Sequence, residues 1–337
     1  MARGRNRSFC LVILAVCLLV LIVLSVALGR YGVPLQEVGK ILLSKVFPVE
    51  QTWTAQMATA VWNVRLPRVL LACLVGCALS AAGTAYQTVF RNPMAAPDIL
   101  GASSGACFGA ALAILIGLPH FGVVAMAFVM SLGSVGLVYA VGRRTHGSRV
   151  VNLLLSGIMV GSLFSAGTSY IKLVADPGDK LPEITYWLMG SLNGVKMQDV
   201  WFALLPVAVG IIPLLLLRWR INLLSTGEDE ARSMGVHTSR LRLIAVLCAT
   251  VLTAAGVSAG GMIGWVGLVV PQLCRKMVGG DCRRLLPCSM LLGALFLLLS
   301  DDISRNLLAV EIPIGILTAI VGAPLFLYLM TRKEHSL

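Results

Sequence analysis

The sequence predicts an all-α polytopic integral membrane protein with about ten transmembrane helices, and three observations lead there. Of 337 residues, 58% are hydrophobic and only 12% charged, whereas soluble domains carry about a quarter charged residues. Uncharged apolar runs recur along the chain at the length, about 20 residues, that a helix needs to cross a bilayer. The short segments between the runs alternate in basic content, as loops on opposite sides of a membrane do. No polar stretch is long enough for a soluble unit, so residues 1–337 read as a single membrane-spanning domain.

In chain order, Arg3, Arg5 and Arg7 precede an apolar run at 9–29. It exceeds the roughly 7–15 residues of a signal-peptide core and is taken as the first span. Residues 30–64 place Val33, Val38, Ile41, Leu42 and Val46 at helical spacing among charged positions, which predicts an interfacial helix that either lies on lipid or caps the bundle. The next candidate spans are 66–89, then 99–117 and 121–142 divided by the turn Leu118-Pro119-His120, then 150–171 and 200–217. Between Arg242 and Arg275 lie 32 uncharged residues with basic flanks at both ends. The chain must therefore cross and return, as 243–260 and 262–274, turning near Gly260-Gly261 with at least one short or tilted leg. The last spans are 285–300 and 312–331.

The net charge of +12 does not suggest nucleic acid, because the basic residues are dispersed over short loops rather than clustered with aromatics. With the N-terminus in the cytoplasm, 18 of the 27 Lys and Arg fall on cytoplasmic segments. That bias places both termini inside.

The nine cysteines lie mostly inside apolar runs and form no C-x-x-C pair, as expected of small packing residues rather than a zinc or redox site. His120, His146, His237 and His335 are isolated loop or terminal residues, so neither a metal site nor a catalytic site is expected. Glycines recur every fourth position at Gly101-Gly105-Gly109, Gly157-Gly161 and Gly256-Gly260-Gly264, a spacing that lets helices approach closely in lipid. A faint echo between Leu79–Gly83 and Leu252–Gly256 hints at an inverted repeat.

No span carries a clear ionisable residue at its centre, which counts against an ion-coupled secondary transporter of a small solute, the alternative reading. The Gly39-Lys40 pair lacks the upstream glycine loop of a phosphate-binding motif, so any ATP hydrolysis belongs to another subunit. The longest cytoplasmic loop, 218–242, predicts a short helix over 226–235. Ser225 and Glu228 stand at capping-box spacing, acids fill the first turn, and Gly235 is placed to end it.

Several blocks together resemble the FecCD-type permeases of ABC importers. They are Arg65-Leu-Pro-Arg68, Gly83-Thr-Ala-Tyr-Gln87, Arg91-Asn-Pro-Met-Ala-Ala-Pro97 with Leu100–Ala106, Ala231–Gly235, Gly264–Pro271, Asp301–Arg305, Glu311–Gly315 and Gly322-Ala-Pro324. The resemblance covers nearly the whole chain. It implies a cobalamin-permease-like bundle in a bacterial inner membrane that imports a metal chelate, a ferric siderophore first, then cobalamin or haem. It also implies a homodimer, two ATPase subunits holding ATP and Mg, and a substrate-binding protein outside.

By the same resemblance Glu228, Asp229, Arg232, Met234 and Gly235 belong to a coupling helix that docks on the ATPase. Arg65, Arg68 and Arg305 would pair with acids of the binding protein, which fits their position against the positive-inside bias and the forked geometry of guanidinium. Gln87, Asn92 and Pro93 fall at the inner end of span two, where proline breaks the helix and Asn92 can cap backbone, suggesting a structural role near an inner gate. After Pro271 the family commonly has His; this chain has Gln272.

Overall fold

A computed structural model describes residues 2–29, 31–45, 47–48, 50–144, 149–225, 227–308 and 310–331, without the side chains of 2–8, 149–150, 228 and 229. Val46, His146, Thr226, His335 and the basic residues Arg30, Arg332 and Lys333 lie outside the described residues. So do the side chains of Arg3, Arg5, Arg7, Arg149, Glu228 and Asp229.

The described chain is helical throughout, without strands. Its helices are α1 (Ala2–Ala27), α2 (Leu35–Leu43), α3 (Ala55–Thr59), α4 (Leu66–Val89), α5 (Ala102–Leu115), α6 (His120–Arg144) and α7 (Arg149–Val174). They continue with α8 (Lys180–Leu188), α9 (Met197–Leu223), α10 (Glu228–Ser233), α11 (Thr238–Gly260), α12 (Val266–Val278), α13 (Cys282–Asn306) and α14 (Ile314–Thr331). A π-helical stretch, Ala60–Arg65, joins α3 to α4, and a 3-10 turn, Pro97–Leu100, precedes α5.

Each of the ten predicted spans coincides with a helix. Eight are long and apolar enough to cross a membrane. The two short ones are α5, with 14 residues, and α12, with 13. At about 1.5 Å per residue they rise only about 20 Å. The expected turn falls between Gly260 and Gly261, the latter at φ +73°. Only α12 of that pair is short, because α11 extends back through Arg242 and Arg240 to Thr238.

Helix α4 is the axis of the bundle, packed by α9, α11, α12 and α13. Its polar residues do not disturb burial, because Ser80, Thr84 and Thr88 each donate to the carbonyl four residues back, at 2.7, 2.9 and 2.8 Å. Small residues set the closeness of approach. A Cβ on Gly76 would lie 2.2 Å from the Gly293 carbonyl oxygen, and one on Gly83 would lie 1.8 Å from that of Gly267. The glycine stripe of α5 behaves likewise, with Gly105 and Gly109 against the backbone of Met130 and Met126 in α6. The two echo segments touch, since Leu79 packs over Gly256.

The 30–64 segment resolves into α2 and the α3–π stretch. Val33, Val38 and Ile41 are buried against the bundle, so this face caps protein rather than lying on lipid.

Candidate functional site

At one end of the bundle two arginines meet three carboxylates, with a third arginine beside them. Arg68 Nε donates to Asp301 Oδ1 at 2.9 Å, and its Nη1 donates to both Glu311 oxygens at 3.1 and 3.0 Å. Arg305 pairs with Asp302 and donates to the Ser25 carbonyl at 2.7 Å, while Ser25 Oγ also donates to Asp302. Arg65 takes another role. Its Nη1 donates to the carbonyls of Val26 and Ala27 at 3.0 and 2.7 Å, and its Nη2 to that of Tyr31. The last carbonyls of a helix have no partner within it, so Arg65 caps α1. Gly29 leaves room for this, as a Cβ there would meet the guanidinium at 2.7 Å.

Outward-facing forks were the expectation for Arg65, Arg68 and Arg305. The structure instead buries all three and engages each of them with partners from within the chain. They still line a cavity of about 280 Å³ with Tyr31, Asn306 and Glu311, and Glu311 is the partly exposed member of the lattice.

At the opposite end, Gln87 organises the close of α4. Its Nε2 donates to the Leu268 carbonyl at 3.2 Å, and its Oε1 accepts from Gln272 Nε2 at 3.2 Å and Arg275 Nη1 at 2.8 Å. Gln272 also donates to the Pro93 carbonyl at 2.5 Å. Asn92 Oδ1 accepts from the Met94 amide at 2.9 Å, closing the turn that Pro93 starts, with Arg91 at φ +52°. Gln87 and Pro93 are thus joined to α12, with Asn92 shaping the turn between them, and Gln272 makes the hydrogen bonds open to a side chain at that position. Arg275 completes the cluster. Sequence reading missed it, because its loop position reads only as a topology signal.

Helix α10 occupies the predicted loop but starts differently. Ser225 does not cap it; its hydroxyl donates back to the Asn222 carbonyl at 2.6 Å, at the end of α9. Gly227 at φ 152° takes the N-cap position, with the Glu230 carboxylate folded over it. Gly235, at φ +79°, ends the helix as expected, and the Val236 amide donates to the Ala231 carbonyl at 3.1 Å. Ala231 is buried, while Arg232 and Met234 are exposed.

His120 is not isolated. Its Nε2 lies 3.4 Å from Asp199 Oδ1, and Asp199 also accepts the Lys196 amide at 2.8 Å, joining the starts of α6 and α9. The 79-residue separation hid this pair from sequence reading.

A third feature lies on α7, whose membrane segment is mostly exposed. Gly157, Gly161, Ser162 and Ser165 form a notch with Asp98 and Ser104, and Ser103 donates to Asp98. Ser162 and Ser169 donate to the carbonyls four residues back, at 2.9 and 3.0 Å, so the notch sets a small, internally satisfied polar surface beside the exposed apolar residues Ile158, Met159 and Leu163.

Among the described residues no cluster of His, Cys, Asp and Glu could hold a metal ion, and the nine cysteines are free thiols.

Ten predicted spans, all helical, with α4 buried among α9, α11, α12 and α13 and polar lattices at both ends, give the architecture of a helical membrane permease. The chain belongs to the FecCD transport family, which is matched over residues 17–332. It is 39% identical over 96% of its length to the molybdate import system permease protein MolB of Haemophilus influenzae, covering 95% of that protein. It is 37% identical over 95% of its length to a probable iron chelatin transport system permease protein of Helicobacter pylori, covering 98% of it. Relatives named for cobalamin import and hemin transport also match. Among solved structures, an inward-facing conformation of a putative metal-chelate type ABC transporter superposes with a TM-score of 0.86 at 37% identity, over 96% of this chain and 99% of that one. The protein is a multi-pass inner-membrane permease subunit of an ABC importer.

Proposed function

We propose that this subunit conducts a metal chelate into the cytoplasm, a ferric siderophore first, with cobalamin and haem as the next chelates. The polar notch on exposed α7 carries the reading. Asp98, Ser104, Ser162 and Ser165 form a surface of small polar groups without a deep ligand pocket. Such a wall passes a bulky polar cargo without holding it. A second reading, an oxyanion such as molybdate, is favoured by the 39% identity to a molybdate permease.

A second copy of the chain facing α7 would close the path as a homodimer. Two ATPase subunits binding ATP and Mg would dock on α10, with Arg232, Met234 and Gly235 at the contact and Glu228 and Asp229 in its first turn. ATP binding there would shift the population between outward- and inward-facing states. Both termini would be cytoplasmic, on the arginine-rich side.

The binding protein would dock over the cavity lined by Arg65, Arg68 and Arg305. Its carboxylates would compete with Glu311 for Arg68. Glu311→Gln should then tighten the binding protein, and Arg68→Gln should weaken it.

The deciding experiment reconstitutes the chain in proteoliposomes with its ATPase and binding protein, and measures ATP-dependent uptake of ferric siderophore, cobalamin, haem and molybdate in parallel. Uptake of a chelate that is lost when residues 227–235 are deleted supports the reading. ATP-independent uptake driven by an ion gradient overturns it, and uptake of molybdate alone selects the second reading.

A further inference from the structure

We propose that the inner end of α9 and the start of α13 form a binding site for an anionic phospholipid, whose acyl chains lie along α9. Trp201, Leu205, Val209, Ile212, Leu216 and Trp219 recur at intervals of three and four, which places them on one helix face, and each is more than half exposed. No exposed residue from 201 to 217 is polar. The two tryptophans stand 18 residues apart, a rise of about 27 Å that matches a hydrocarbon core of about 30 Å. Tryptophan concentrates at both membrane interfaces, so this face lies against lipid. The exposed face of α7 differs, since it carries Ser162, Ser165 and Ser169.

Positive charge gathers where the headgroups of that lipid would be. Arg218 and Arg220 flank Trp219, and Arg283 and Arg284 open α13 beside them. The two helix ends are pinned together, since Asn222 Oδ1 accepts the Cys282 amide at 2.8 Å and Arg218 Nη1 donates to the Arg283 carbonyl at 3.4 Å. Asp281 pairs directly with Arg283, at 2.9 Å, and its single charge acts more weakly on Arg284. Arg218, Arg220 and Arg284 have no carboxylate at ion-pair distance among the described residues. Guanidinium forks suit a phosphodiester, and basic seams between membrane helices are where anionic headgroups bind.

The test quenches tryptophan fluorescence of the full chain with brominated phosphatidylglycerol or brominated phosphatidylcholine, with Trp219→Phe isolating the Trp219 signal by difference. The expected result is selective quenching of Trp219 by phosphatidylglycerol. The pair Arg218→Gln and Arg284→Gln should weaken that lipid by roughly 30-fold, at about a fivefold loss per charge, while Arg218→Lys with Arg284→Lys keeps it. The control pair Arg143→Gln and Arg144→Gln, which removes equal charge at the same end of the bundle, should leave the affinity nearly unchanged. Four results would each overturn the proposal. These are equal quenching by both lipids, equal loss in the control pair, displacement of the lipid by acyl-free glycerol phosphate, and a Trp219 shielded from every brominated lipid, which would mean that a second copy of the chain covers it.

Discussion

Arg68 and Asp301, 233 positions apart, form the most buried ion pair described, with Nη2 2.9 Å from Oδ1 and the carboxylate fully shielded. Burying two charges is costly, and their attraction offsets this only while both are present. Arg68→Gln should therefore destabilise the protein by about 3–5 kcal/mol, because Asp301 is left buried without its main partner. Arg68→Gln with Asp301→Asn should cost less than the sum of the single variants. Unfolding in mixed micelles measures both, and strict additivity would contradict the coupling.

The α4–α13 contact predicts an asymmetry among glycines. A Cβ on Gly293 would fall 1.8 Å from Ser80 Oγ and 2.4 Å from the Gly76 carbonyl oxygen, whereas one on Gly136 of α6 meets nothing within 4 Å. Gly293→Ala should destabilise by at least about 1–3 kcal/mol through overpacking. Gly136→Ala should be neutral or stabilise by up to about 1 kcal/mol, since alanine is the better helix former. Thermal midpoints in detergent distinguish the two.

Asp281 caps α13, accepting the Arg283 amide at 3.0 Å. Asp281→Ala should cost about 1 kcal/mol. The Arg283 side chain hydrogen-bonded to Asp281 holds its carboxyl below the ordinary value. A depressed folded-state pKa contributes stability that is present above the unfolded value, about 3.9, and is lost as pH falls through the lower folded value. The stability gap between the native chain and Asp281→Asn should therefore be constant near neutrality and shrink below about pH 4. A gap that widens in acid would reverse the assignment.

Gln272 joins α12 to both Gln87 and the Pro93 carbonyl. Gln272→Leu removes both donors and should lower transport in proteoliposomes while leaving the helical content unchanged. Gln272→His keeps one donor and should retain most of the activity. Equal activity in all three would show that the cluster does not govern the inner end.

Much of the architecture was legible in the sequence because lipid imposes a one-dimensional rule. Span length and loop charge are local properties, so 66–89 coincides with α4 and the turn at Gly260-Gly261 falls where basic flanks require it. The cap of α10 was not legible, because Ser225 had two available partners and the end of α9 took it. His120 looked isolated because Asp199 approaches it through packing rather than along the chain.

By itself, the sequence determined an all-helical membrane protein, the places of its ten predicted spans and of α10, and the glycine stripe on which α5 closes against α6; it did not single out Gly76, Gly267 and Gly293, on which α4 closes. The tertiary structure alone decided the state of Arg65, Arg68 and Arg305. Their position against the charge bias suggested open docking groups. Folding instead brings the end of α1, Asp301, Asp302 and Glu311 around them. The physical reason is that a guanidinium near hydrocarbon needs partners for its charge, and here they come from the end of α1, from α13 and from the loop after it, up to 243 residues away, which no local pattern records.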